Sequence, residues 1–491
     1  MFDPLRRFSR SVAWGVVATP ALLVVAASPH RALPAEGAST PAHFAEVPAD
    51  TLAVTYSGRI SRIFQESCQG CHQPGAIAPM SFMTYDEIRP WAPIIREKVL
   101  IQEMPPYHYD VDVGIQRLRR DMRLTADEIS TIVAWVDSGA PLGNPADMPA
   151  PKAWPDPAEW GFAAEFGPPD LIVPSDPFDV PARGQDIWTY PIVPTGITEE
   201  RCIRAVETKP SVAGRSVAHH ANSTFQIIDA DGGTSSLGFL SEYALSKVGE
   251  IIPPDACRVA PANSYVSWDI HYFPNGTAIE GDQVEVGLWF YPDEVDTSQL
   301  YRQTLRNYVL QGGDFDIPPH GTLVTQGFFS WPTPVRLDSF QPHGHLRLTA
   351  KSLEIFYPEN GRREMVSRVS NWNPGWHHSH IYESEVAPLI PRGAVVIVTA
   401  YYDNTANNPH NPDPDQWVGH GDRAVDEMSH AWLGITHLDD AGYERLVAAR
   451  AAANPAGQGG GGRGGGAGGA GAGVGGRQGG PGGAGQGGGT P

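Results

Sequence analysis

The chain has 491 residues, 41% of them hydrophobic, which is material for several cores rather than one. Its 55 acidic against 35 basic residues give a formal charge of −20, which argues against nucleic acid and against an anionic membrane surface as partners. Only four cysteines occur, so each raises the question of what it holds.

The amino end is basic in "MFDPLRRFSRS" and apolar in "VAWGVVATPALLVVAAS". That run is short and carries Pro20, so a signal peptide over residues 1–35, cut after Ala27 or Ala35, is expected rather than a membrane span. Arg6-Arg7 hints at twin-arginine export, but the pattern around it is imperfect and the general secretory route is the default. No later segment is long and apolar enough to span a bilayer, so a soluble periplasmic or secreted mature protein is expected.

"QESCQGCHQPG" then places Cys68 and Cys71 directly before His72. Two thiols to bond porphyrin vinyl groups and a histidine to ligate iron make a c-type haem attachment. A redox-active pair needs no following histidine, and a zinc site needs two further ligands that Cys202 and Cys257 do not supply at a short spacing. A methionine on a stiff segment downstream suits the sixth position, and Met104 in "IQEMPPYH" is the candidate. Met80 and Met83 are its rivals, and a core side chain is the plain alternative. "TADEISTIVAWVDSGAP" predicts a helix capped by Thr125 and Glu128, with Ile129, Ile132, Val133 and Val136 on one face and Gly139 as its stop. These features define a small all-α haem domain over residues 51–148, followed by a Pro- and Trp-rich linker over 149–169.

Export permits disulfides, and Cys202 with Cys257 is the remaining pair. A bridge between them is worth about 4 kcal/mol in the chain-entropy model. Two buried free thiols are the alternative.

Beyond the linker, "SYVSWDIHYF", "VEVGLWFY", "SLEIFYP" and "AVVIVTAYYDN" are short, rich in β-branched and aromatic residues, and bounded by turn formers. Two antiparallel, jelly-roll-like β-sandwiches are expected, over residues 170–320 and 321–447. The Gly-rich tail over 448–491 cannot bury a core and is expected to be disordered.

Histidines gather on these strands. His343-Gly344-His345 is the clearest group, since alternate residues of a strand share a face. His219-His220 needs a bend or bulge to share an ion, and a lone His271 reads first as a half-buried core residue.

Several motifs in order resemble the copper type II, ascorbate-dependent monooxygenases, the family of peptidylglycine hydroxylating monooxygenase and dopamine β-monooxygenase, and most closely a bacterial branch with a cytochrome c domain in front. They are "CHQPGAIAPMS", "RPWA" and "MPPY", then "HHA", "HYFPNG", "PHGHLR", "YDNTANNPHNPDP" and "DEM". The resemblance implies one copper on His219, His220 and His271, and a second, oxygen-activating copper on His343, His345 and Met428. A thioether favours Cu(I), the state that meets dioxygen, whereas an all-imidazole site suits electron passage. In peptide-processing members an Arg, an Asn and a Tyr bind the substrate carboxylate. The matching positions here are Gln341, His430 and Trp432, so no cation remains for a peptide carboxylate. His430 is also a candidate extra ligand, and "GWHHSH", with His377, His378 and His380, reads as a fortuitous copper-binding surface loop.

The expectation is therefore a periplasmic dicopper monooxygenase with haem c and two copper ions. It would hydroxylate a C–H bond of a small organic substrate with O2, taking electrons through the haem from an external donor. The alternative is a non-catalytic electron-transfer or copper-binding haem protein that keeps the fold.

Overall fold

Helix formation near the amino end begins at well-made caps. In a computed structural model, which describes residues 53–453 apart from 77, 155, 157, 245, 246, 248 and 311–314, Thr55 caps the turn that leads into α1 (Ser61–Ser67). A reciprocal Thr84–Glu87 box opens the short turn leading, through Pro90 and Pro93, to α2 (Ala92–Leu100). The predicted Thr125–Glu128 box starts α3 (Ala126–Asp137): the Thr125 hydroxyl accepts the Glu128 N–H at 3.2 Å and the Glu128 carboxylate accepts the Thr125 N–H at 2.7 Å. Ile132 and Trp135 of α3 pack with Phe64, Phe82, Ile88 and Ile95 in a small core, while Ile129 and Val136 only flank it. The signal peptide expected over 1–35 lies outside the described residues, as do residues 454–491 of the tail expected over 448–491, whose first six residues are helical instead.

The expected all-α cytochrome c-like domain is corrected by this structure. Among the described residues strand accounts for 37% and helix for 17%, the helices are few and short, and no sizeable all-α domain is present. Residues Tyr107 to Arg123 leave the helices and run across the second β region as a strap. There the Tyr109 hydroxyl donates to the Val366 carbonyl at 2.6 Å, Ile115 N–H to the same carbonyl at 3.0 Å, and Arg119 N–H to Ile381 at 2.8 Å. Tyr107, Tyr109 and Leu118 are buried in one cluster with Leu337, Phe340 and Val398. Pro105 and Pro106 carry no donors to continue a helix. Gly114 sits at φ 68°, where a Cβ would lie 2.1 Å from the Val366 oxygen, so only glycine allows the strap to lie this close.

The β regions are antiparallel apart from a parallel contact at Tyr301↔Ala256, they enclose two cores, and one 15-stranded sheet runs through both. The strands that matter for the site are β1 (Ala218–Ile228), β2 (Thr234–Ala244), β3 (Tyr265–Tyr272), β4 (Tyr301–Val309), β5 (Val335–His343), β6 (Leu348–Tyr357), β7 (Val395–Asp403) and β8 (His430–His437). β1 pairs with β2 and β3, β2 touches β4 at Phe239, and β4 pairs with β8 from Gln303↔Thr436 to Val309↔His430. β8 then pairs with β5 up to His343↔His430. β6 and β7 belong to a four-stranded sheet packed on the second core. Cys202 and Cys257 form a disulfide with Cα atoms 5.4 Å apart, joining neighbouring strands of the first region. The chain ends its described part in α4 (Asp440–Ala453), a helix the strand-rich reading did not expect.

Candidate metal centre and its cavity

Strand register assembles the first histidine group. His220 on β1 faces His271 on β3, and the next pair is Tyr272↔Ala218, so His219 is the extra residue of a bulge. The bulge turns His219 back toward its neighbours, which a regular strand would forbid. The donor atoms of His219, His220 and His271 all lie within 4.8 Å of one another. Trp188 stacks on the His271 ring at 4.2 Å, and Asp186 approaches its Nε2 at 3.2 Å. Burial and the neighbouring imidazoles push His219 down to about 4 and His220 well below the usual range. Burial also lowers His271, against the pull of Asp186. All three are thus neutral at pH 7, the form a metal ion takes.

The second group is built differently. β5 ends at His343, so His345 lies past the strand in a turn and its approach to His343, with ring centroids 5.4 Å apart, is not made by strand alternation. Met428 likewise precedes β8 rather than lying on it. What joins them is Glu427, fully buried, whose carboxylate accepts the backbone N–H groups of His345, of Arg347 at 2.8 Å and of Met428 at 2.9 Å. Burial pushes its carboxyl up to about 7, held from rising further by those donors. Tyr402 donates to the Met428 carbonyl at 2.8 Å. Lys351, also fully buried, donates to the carbonyls of His343 at 2.6 Å and His430 at 2.8 Å, and burial lowers its ammonium to about 7. Sequence reasoning used the "DEM" run only for its methionine. The acid beside it was the available signal.

A cavity of about 450 Å³ is lined by His220 of the first group, by His343, His345 and Met428 of the second, and by His430 and Trp432. His430 shares its ring Nδ1 with the Asn307 amide at 3.3 Å, and Trp432 meets Phe239 edge-on at 4.2 Å. Gln341 is not on the cavity wall. It is buried, donating to Glu242 at 2.6 Å and accepting from Lys247 at 3.2 Å and Ser379 at 2.6 Å. No arginine or lysine lines the cavity among the described residues.

The "GWHHSH" histidines are not a surface loop. His377, His378 and His380 are 7%, 8% and 1% exposed, and the strap from the amino-terminal segment packs on His378 and His380 through Tyr107 and Tyr109. The His377 ring lies 4.9 Å from His343 and 6.2 Å from His219.

Cys68 and Cys71 are free thiols just beyond α1. Burial pushes Cys68 up to about 12 and also raises Cys71, so neither is an activated thiolate of the redox-pair kind. The His72 ring stacks on Phe82 at 4.1 Å, and its Nδ1 meets the Met80 carbonyl at 3.1 Å. That contact occupies Nδ1 and leaves Nε2 on the far side of the ring from the Met80 backbone. Met104 lines a separate crevice of about 30 Å³ with Val99, Tyr107, Leu124 and Ile129. The described geometry does not bring Met104 to His72.

No protein-family model and no curated protein matches this chain. Among solved structures, the major capsid protein P2 of bacteriophage PM2 is 9% identical at a TM-score of 0.26, covering 55% of this chain and 100% of that one. The CBM22 tandem domain of Paenibacillus barcinonensis Xyn10C is 9% identical at 0.15, covering 55% and 98%, and a Paenibacillus xanthan lyase is 9% identical at 0.15, covering 59% and 28%. Similarities this weak bear on neither the fold nor the activity of this chain.

Proposed function

We propose that this chain is an exported dicopper monooxygenase with a covalently attached c-type haem, of the family its motifs resemble. The observation that carries the reading is the single cavity of about 450 Å³ onto which both histidine groups open, one through His220 and the other through His343, His345 and Met428. The donors suit the ions: the first group offers three neutral imidazoles within 4.8 Å, and the second adds the soft sulfur of Met428, which favours Cu(I). In the second group, the buried His343 Nδ1 has no hydrogen-bond partner, and His345 Nδ1 meets the Asp426 carbonyl at 3.2 Å, leaving Nε2 for an ion. For the haem, the two unbonded thiols and the oriented His72 ring meet the needs of attachment and proximal ligation.

Copper supplies the one-electron oxygen chemistry when bound. The chain's own residues do the rest. Glu427 and Lys351 hold the His345, Met428 and His343 backbones in place, and Trp188, Phe239, Trp268 and Trp432 give the cavity an apolar wall for an organic substrate. A cavity without arginine or lysine does not suit a peptide carboxylate. The overall stoichiometry is R–H + O2 + 2 electrons + 2 protons → R–OH + H2O, so an external donor must reload a haem that stores one electron. Oxygen uptake by the purified, copper-loaded, haem-bearing protein, screened against reductants and organic substrates, is expected to yield a hydroxylated product. Metal binding without any reductant-dependent product would mark a non-catalytic carrier instead.

A further inference from the structure

The histidines of "GWHHSH" and the strap have no part in either ligand group, yet His378 and His380 touch the strap while His377 touches both groups. His108 sits on the strap, four residues after Met104, with its ring 6.1 Å from Trp372. Trp372 lies 6.3 Å from His377, whose ring meets both groups, at 4.9 Å from His343 and 6.2 Å from His219. Trp372 and His377 are 4% and 7% exposed. His108 Nε2, Trp372 Nε1 and His377 Nδ1 are all buried without a hydrogen-bond partner. Burying three polar rings without satisfying them costs free energy that an apolar core would not incur.

We propose that His108, Trp372 and His377 form an electron relay from the haem-bearing segment to the two histidine groups. This rests on the haem and copper reading above. Tunnelling is efficient through closely packed rings and poor across open space, and from His108 through Trp372 and His377 to His343 or His219 successive ring centroids lie 4.9 to 6.3 Å apart. The fork at His377 lets one route serve both copper positions. One electron passes per event: Fe(II) becomes Fe(III), Cu(II) becomes Cu(I), no proton moves, and the external donor reduces the iron again. The strap fixes the distance, since it is tied to the second β region by Tyr109, Ile115 and Arg119.

The test uses the full-length, haem- and copper-loaded protein. Its haem is reduced photochemically with copper as Cu(II), and haem reoxidation is followed by absorbance while the Cu(II) signal is followed by electron paramagnetic resonance. Trp372→Leu should slow haem reoxidation about tenfold or more, with copper count and Cu(II) spectrum unchanged. Trp372→Phe, which keeps a ring, should restore most of the rate. His108→Leu, on the less buried strap, should show the same slowing and covers the case in which Trp372→Leu does not fold. Wild-type rates in the leucine variants, with haem and both coppers present, would overturn the relay. Wild-type protein that lacks haem or copper by metal analysis would overturn the functional reading itself, and the relay with it.

Discussion

The two histidine groups face one cavity but are held by different physics. His219, His220 and His271 are placed by hydrogen-bonded strand register and one bulge, so the sheet that makes the core also makes the site. His343, His345 and Met428 sit at strand ends and in loops, where a single buried carboxylate, Glu427, gathers the His345 and Met428 backbones and Lys351 holds that of His343. The first arrangement stands or falls with the fold. The second hangs on a side chain, so it is separable from the fold.

That difference is tested most severely by removing Glu427. Glu427→Ala strands three backbone N–H donors in a buried place, at roughly 1–3 kcal/mol each, so about 4 kcal/mol of stability should be lost in denaturant unfolding. The second copper should go with it while the first is retained. Stability and copper content both unchanged would show that the loops hold themselves.

Acid should expose the second side of the molecule next. Burial depresses His378 to about 3, His108 to about 4 and His380 well below its ordinary value of 6.5. The unfolded chain therefore takes up protons first as the pH falls, so stability fully present above pH 6.5 is lost progressively between about 6.5 and 3, on the order of 3 to 5 kcal/mol for each ring. Thermal midpoints of the metal-free protein across that window measure it, and a flat profile would mean these rings protonate in place.

His271→Ala should cost less stability, about 1 kcal/mol, because the register of β3 does not depend on its ring. Copper analysis should nevertheless show the first ion lost and the second kept, since a two-coordinate remnant binds weakly. The smallest structural effect is expected at Met428→Ala, whose backbone contacts to Glu427 and Tyr402 survive. Unfolding should barely change, while the second copper's potential falls and hydroxylation stops. A variant that hydroxylates at the wild-type rate would remove Met428 from the site.

Much of this was legible locally. The Thr125–Glu128 cap, the strand runs, the Cys202–Cys257 pair and the need for a bulge at His219-His220 all follow from neighbours in sequence. What escaped is non-local. "YHYDVDVGIQRLRRD" has neither helical nor strand period, and its partners, such as Val366 and Tyr382, lie some 250 residues away, so nothing in the run announces a strap or its packing on His378 and His380. The shared sheet has the same cause, since the pairing of β4 with β8 joins Gln303 to Thr436. His343 and His345 were read as strand neighbours because alternation cannot show where a strand stops.

Metal analysis of the full-length exported protein, wild type beside His271→Ala, bears most directly on the central claim of two separable copper groups beside an attached haem. The account predicts two coppers and one covalently bound haem iron per chain in the wild type, and one copper with the same haem in the variant. A wild-type chain with a single copper, or a variant that keeps both, would contradict it.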